Sequence, residues 1–225
     1  MSLHFRHILG LAFAILALVG CGERLPTYRY KITVEVETPE GLRTGSAVRE
    51  VRSGCGPTPS AVRASLRMRG EAVAIDLPNG EQLFGLLIGG ASAENLASIT
   101  LSPQIVGQRK FTESCEQFDF TVKALAASRL SGVVSPEDYP MFVRFLDIGD
   151  PMSVEAVDPE NLAAAFGEGY RIERITVNTT NEPVSDGIGD RLPWLAEIGG
   201  RYLHGESISR GAPLGLHGGN FRMEE

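Results

Sequence analysis

Between Tyr28 and Glu37 the side chains alternate without a break. Tyr28, Tyr30, Ile32, Val34 and Val36 share one face, and Arg29, Lys31, Thr33, Glu35 and Glu37 share the other. A period of two in β-branched and aromatic residues specifies a strand with one face in a core and one toward solvent. Such a strand needs neighbours along its edges and a layer over its apolar face, so the chain must build a layered sheet. Thr38-Pro39-Glu40-Gly41 is a turn, since Pro presets φ and Gly tolerates positive φ. Leu42 to Arg52 reads as the returning strand, with a slip near Ala47-Val48 that reads as a bulge.

Ser53 to Ser60, with its glycines, prolines and Cys55, reads as a loop. Val62, Ala64, Leu66 and Met68 then alternate with Arg63, Ser65, Arg67 and Arg69, a second one-sided strand. Its arginine stripe is either a solvated face paired with Glu35 and Glu37 or a site for an anion. Cross-strand pairing favours the first. Asn79-Gly80 between apolar runs marks a hairpin. Phe84, Leu86 and Ile88 fall on one face of its second arm and Leu83 and Leu87 on the other, which predicts a central strand covered on both sides.

Ala91 to Ser98 fits one or two helical turns behind Ser92, and Ser102 to Gln108 reads as loop. Phe118, Phe120 and Val122 alternate with polar residues, which predicts a strand, with Lys123 to Leu130 helical. The polar stretch 132–140 reads as an internal boundary. Met141 to Leu146 is strand-like and Asp147 to Pro151 a turn. Asp158 as N-cap, Pro159 at the first position and Gly167 as stop predict a short helix. Tyr170 to Val177 follows as a strand. The expected fold is α+β, mostly antiparallel β-sheet with one or two short helices, over residues 28–198. Seven glycines between Gly199 and Gly219 predict that 199–225 is a flexible tail.

Ahead of the domain, Arg6 and the amino group precede an apolar run from Ile8 to Val19, too short to span a bilayer comfortably. The run ends in Leu18-Val19-Gly20-Cys21, which resembles the lipobox of bacterial lipoproteins. A signal anchor, or a fortuitous cysteine beside an ordinary cut, is the alternative. The resemblance implies that residues 1–20 are a signal peptide removed before Cys21. It implies that the Cys21 thiol and new amino group carry acyl chains, and that 21–27 is a lipidated tether. Several acyl chains give stable anchoring where one would not. Gly22, in place of Asp, implies an outer-membrane address facing the periplasm.

The net charge of −7 at pH 7 leaves no electrostatic footprint for nucleic acid, so the partners expected are the membrane, through the lipid, and an envelope protein or ligand. With Cys21 acylated, Cys55 and Cys115 remain. They form either a disulfide, which export permits, or two inert thiols. Glu113 and Glu116 argue against a nucleophile at Cys115.

Catalytic signatures are weak. Gly-x-Ser-x-Gly is absent, and the histidines after the signal, His204 and His217, lie in the glycine-rich stretch. Asp186-Gly-Ile-Gly-Asp190, with Asp147 and Asp150, offers oxygen ligands but not the spacing of a calcium loop. No metal or cofactor is expected. Trp194, Arg191 and Tyr202 are the residue types that anchor partners, with Trp194 as a core plug the competing reading. The expected role is binding or structural. The alternative is an envelope hydrolase using Asp147, Asp150 and Asp158, which requires those carboxylates to converge. Thr33-Val-Glu-Val-Glu-Thr-Pro-Glu-Gly41, Asp158-Pro-Glu-Asn-Leu-Ala-Ala-Ala-Phe-Gly167 and Arg191-Leu-Pro-Trp-Leu195 are phrases that resemble uncharacterised proteobacterial proteins. That resemblance implies no activity.

Overall fold

The computed structural model describes residues 25–57, 62–107, 115–199, 201–203 and 215–224. The chain opens with β1 (Tyr28–Glu37), β2 (Arg43–Pro57) and β3 (Val62–Glu71), then the hairpin β4 (Val73–Asp76) and β5 (Gln82–Gly89). Two helices follow, α1 (Ala93–Val106) and α2 (Cys115–Ala127), then β6 (Ser131–Val133), β7 (Pro140–Phe145) and β8 (Val154–Val157). A single turn, α3 (Ala163–Phe166), leads to β9 (Arg171–Thr180). Two more turns, α4 (Ile188–Arg191) and α5 (Leu195–Ile198), precede β10 (Arg222–Met223). The fold is α+β and mostly antiparallel, as expected, but α1 and α2 run 14 and 13 residues.

One sheet has the order β10-β3-β2-β1-β9-β6 and the other β4-β5-β7-β8. The β1 alternation is obeyed throughout: its five apolar residues are 3 % exposed or less. They face Leu96, Leu101, Val122 and Leu125 of the two helices, and Val73, Ile75, Leu83 and Leu87 of the small sheet. At Gly45 the small sheet comes so close that a Cβ would run into the Ala74 backbone. The core begins before β1. Leu25 is buried in it, so any tether ends at Arg24 and not at Thr27.

The small sheet is apolar on both faces, and β5 is the two-sided strand its pattern predicts. Phe84 and Leu86 turn away from the large sheet and join Val143, Phe145 and Val154 in a second core. The chain's last segment covers that core with Ile188, Leu192, Trp194, Leu203, Leu216 and Phe221. Phe145 is the hub, its ring 5.3 Å from Trp194, 5.7 Å from Phe84 and 5.9 Å from Phe221. Phe221 accepts a backbone hydrogen bond from Ala72 at 2.7 Å, and β10 pairs with β3. The expectation of a flexible tail is therefore corrected for 201–203 and 215–224. Glycines raise the cost of ordering a segment, but a ready apolar face offsets it for a few well-placed large side chains.

Arg49, opposite Tyr30 on the core face of β2, is fully buried. Its Nε donates to the Glu71 carbonyl at 3.0 Å, and its guanidinium lies 6.0 Å from the Tyr30 ring centroid. The Tyr30 hydroxyl donates to the Ala93 carbonyl, which joins the hairpin to the start of α1.

Other local expectations are corrected. Residues 115–127 are helical, not strand followed by helix: Phe118, Val122 and Leu125 have i, i+4, i+7 spacing and face the core, while Phe120 is exposed. Residues 102–106 continue α1 with Pro103 inside, held by Leu101 and the partly buried Ile105. Ser53 to Pro57 extend β2, Pro57 pairing with Val62. Asp158 makes a turn by accepting from the Glu160 amide at 2.9 Å, so α3 starts only at Ala163; Gly167 ends it at φ 100°. The β1–β2 register is unbroken at Ala47 and Val48, and the irregularity falls between Glu35 and Val36 against β9. The stretch 132–140 is no boundary, since one core cluster draws on both sides of it.

Cys55 and Cys115 are disulfide-bonded, Cα atoms 5.6 Å apart, tying the end of β2 to the first residue of α2. Closing a loop of separation 60 constrains the unfolded chain by about 4 kcal/mol in the entropic treatment. Cys55→Ser/Cys115→Ser should lose up to about 4 kcal/mol of urea-unfolding stability. Phe221→Ala should cost about 3–5 kcal/mol in the same assay, whereas truncating a mobile tail residue would cost nothing.

Candidate functional site

The outer face of the large sheet carries the polar rows of β1, β2 and β3. At one end Arg174 pairs with Glu35 at 2.8 Å and Arg171 lies 3.9 Å from Glu37. At the other, Lys31 reaches Glu182 at 3.0 Å, and the Glu182 carbonyl accepts from Arg29 at 3.4 Å. The registers set Arg29 opposite Glu50, Glu50 opposite Arg69, and Arg52 opposite Arg67. The guanidiniums of Arg29, Arg52 and Arg69 thus gather on the Glu50 carboxylate, with Arg67 opposite Arg52.

Glu50 is 5 % exposed although it points away from the core, because the arginine side chains lie over it. Arg29 Nε donates to Oε2 at 2.7 Å and Arg52 Nη2 to Oε1 at 3.3 Å, with Arg69 Nη2 at 3.9 Å. Burial alone would raise the Glu50 carboxyl. The Arg29 hydrogen bond, the charges of Arg29 and Arg69, and the Arg52 hydrogen bond outweigh it and hold the carboxyl below its usual range. The arginines themselves stay half-exposed, with side-chain accessibilities of 35 % for Arg29, 50 % for Arg52 and 45 % for Arg69. Glu50 therefore gathers three guanidiniums whose side chains remain partly exposed.

Three surface depressions meet here. One of about 300 Å³ is lined by Arg29, Glu50 and Arg129, one of about 500 Å³ by Arg29, Arg69 and Arg222 together with Asp186 and Glu224, which pair with Arg222, and one of about 610 Å³ by Arg52 and Arg67. Arg52 faces Arg67 across neighbouring strands, and Glu50 holds the Arg52 guanidinium at 3.3 Å. Guanidiniums donate hydrogen bonds and do not give up protons near neutral pH. With Glu50 locked as carboxylate, the cluster has binding chemistry and no group poised for proton transfer.

The residues singled out in the sequence lie elsewhere. Asp147, Asp150 and Asp158 each hold a local turn, accepting from the amides of Gly149, Met152 and Glu160. Asp186 pairs with Arg222 at 2.8 Å. Trp194 is 7 % exposed and donates from its indole to the Ile148 carbonyl at 2.9 Å. Arg191 clamps Asp76 through two hydrogen bonds of 2.5 and 2.9 Å, which fasten α4 to the end of β4 and draw the Asp76 carboxyl below its usual range. The Tyr202 ring is 59 % exposed and 6.1 Å from His217. Cys21 and His204 lie outside the described residues. Of the β3 arginines, Arg67 and Arg69 are exposed, and Arg69 meets Glu50 and not Glu35 or Glu37. Arg29, Glu50, Arg52 and Arg129 were missed. Counting outward from the turn at Thr38 to Gly41 sets Arg29 against Glu50, so the signal was present.

Among the described residues no helix is long and apolar enough to cross a membrane, and no three His, Cys, Asp or Glu side chains gather as a metal set. No family model, curated protein or solved structure matches the chain.

A carboxyl whose pKa falls on folding contributes stability above its unfolded value, and that contribution disappears as pH drops through the folded value. Thermal stability should thus fall with acidification below about pH 4.5 in the wild type. Glu50→Gln should flatten that acid limb and cost about 1–3 kcal/mol at neutral pH. An unchanged acid limb in the variant would refute the assignment.

Proposed function

We propose that the chain is a lipid-anchored protein of the bacterial cell envelope whose role is binding rather than catalysis. Cys21 carries the acyl chains, the anchor lies in the outer membrane, and the folded body faces the periplasm. The observation that carries the binding reading is the arginine cluster around Glu50. It is organised, reachable from solvent, and made of groups that recognise anions without exchanging protons. The anchor reading rests on Leu18-Val19-Gly20-Cys21, supported by the disulfide, a bond that persists in oxidising compartments.

Cells grown with labelled palmitate test the anchor. The wild-type chain should take up label and Cys21→Ala should not. Label in neither, or equally in both, refutes it.

A further inference from the structure

Asn79-Gly80 is the only Asn-Gly pair in the chain, and it forms the exposed tip of the β4–β5 hairpin. A glycine after asparagine leaves the following amide nitrogen open to approach, because no side chain stands in the way. A Cβ built at Gly80 would meet nothing within 4 Å. The Asn79 side chain does not hang loose in solvent. Its Oδ1 accepts from the Glu81 amide at 3.1 Å, and its Nδ2 donates to the Glu81 carboxylate. The turn therefore folds the side-chain carbonyl back over the Gly80 peptide, which lies between the two residues.

We infer that Asn79 is a site of spontaneous deamidation in the folded protein. The Gly80 nitrogen gives its proton to solvent base and attacks Asn79 Cγ, closing a succinimide ring. Negative charge develops on Oδ1, where the Glu81 amide already points. A donor held in place at a developing oxyanion lowers the barrier to such an attack. Collapse expels ammonia, with its extra proton drawn from water. Water then opens the ring at either carbonyl and leaves aspartate or isoaspartate. The net change is one water consumed and one ammonia released, with no oxidant or reductant. One contact acts as a brake: the Gly80 N–H donates to the Leu77 carbonyl at 3.0 Å and has to let go before attack. That bond sits at an exposed loop tip, where local opening is easiest.

The modification reaches beyond the turn. Glu81 also accepts from Arg144 Nη1 at 3.1 Å, and Arg144 holds Glu155 at 2.9 Å and the Ala165 carbonyl. An acid at position 79 sets a like charge where an amide had donated to Glu81. Isoaspartate also adds a backbone atom to a turn closed by the 2.9 Å hydrogen bond from the Leu77 amide to the Glu81 carbonyl.

The test incubates the purified chain, disulfide intact, at neutral and mildly alkaline pH, folded in buffer and unfolded in guanidinium. Peptide mapping by mass spectrometry follows the conversion of Asn79 to acid, and a protein isoaspartyl methyltransferase counts isoaspartate. Asn79 should convert at least as fast in the folded chain as in the unfolded one. The rate should rise in proportion to hydroxide concentration, through a transient species lighter by one ammonia. Asn95 and Asn161, each followed by Leu, serve as internal controls and should stay amide. Glu81→Pro, which removes the donated N–H, should convert about fivefold more slowly than Glu81→Gln, which keeps it. Circular dichroism checks that both variants fold, and if Glu81→Pro does not, the folded and unfolded wild-type rates decide. Asn79 that persists in the folded chain and converts only in guanidinium overturns the proposal, because the turn then protects it. Aspartate without isoaspartate overturns the succinimide route. Equal rates in the two folded Glu81 variants overturn the role given to the Glu81 amide.

Discussion

A strand that is apolar on both faces cannot leave either of them in water. That constraint, set by β5, shapes everything beyond the first sheet. Leu83 and Leu87 bring the small sheet onto the core face of the large one, and Phe84 and Leu86 then demand a further layer. The demand is met by a segment of irregular turns around Phe145, Trp194 and Phe221, not by a helix pair. Burial of large aromatic rings is effective enough that regular secondary structure is not needed to supply it. The Arg191–Asp76 clamp and the two amides that Glu71 accepts, from Gly187 and Ile188, hold the segment where its side chains reach.

What the sequence shows plainly is whatever depends on a single period. The β1 and β3 alternations, the Asn79-Gly80 hairpin and the two-sided β5 follow from residues within one strand or turn. What it hides depends on partners distant in sequence. Phe118, Phe120 and Val122 alternate over too short a span to separate a strand from a helix, and Leu125 breaks the tie only once the core is known. Asp158 has the chemistry of a helix cap and also of a turn, and the turn wins because the buried residues, Leu162 and Phe166, come later. Leu216 and Phe221 are sparse in a glycine-rich stretch, and their weight is visible only against the surface they cover.

The arginine cluster is a case between the two. Its members are spread over three strands, so a stripe on β3 alone looks like ordinary surface. The cluster exists because two hairpin registers bring Arg29, Glu50 and Arg69 into one line. A shift of either strand by one residue would send these charges into the core, which makes the registers among the most strongly determined features of the fold.

The order of strands also bears on how the molecule comes into being. Among the described residues, the first strand lies at the centre of the large sheet, and its two neighbours come from opposite parts of the chain: Ile32 lies beside Ala47 and also beside Val177. The last of the described strands, β10, borders β3. A polypeptide delivered amino end first, by a ribosome or through a translocation pore, cannot close this core until nearly all of it has emerged. Long-range pairing of this kind is slow, and its early strands stay open to chaperones in the meantime. The topology thus keeps the chain threadable until its final residues arrive.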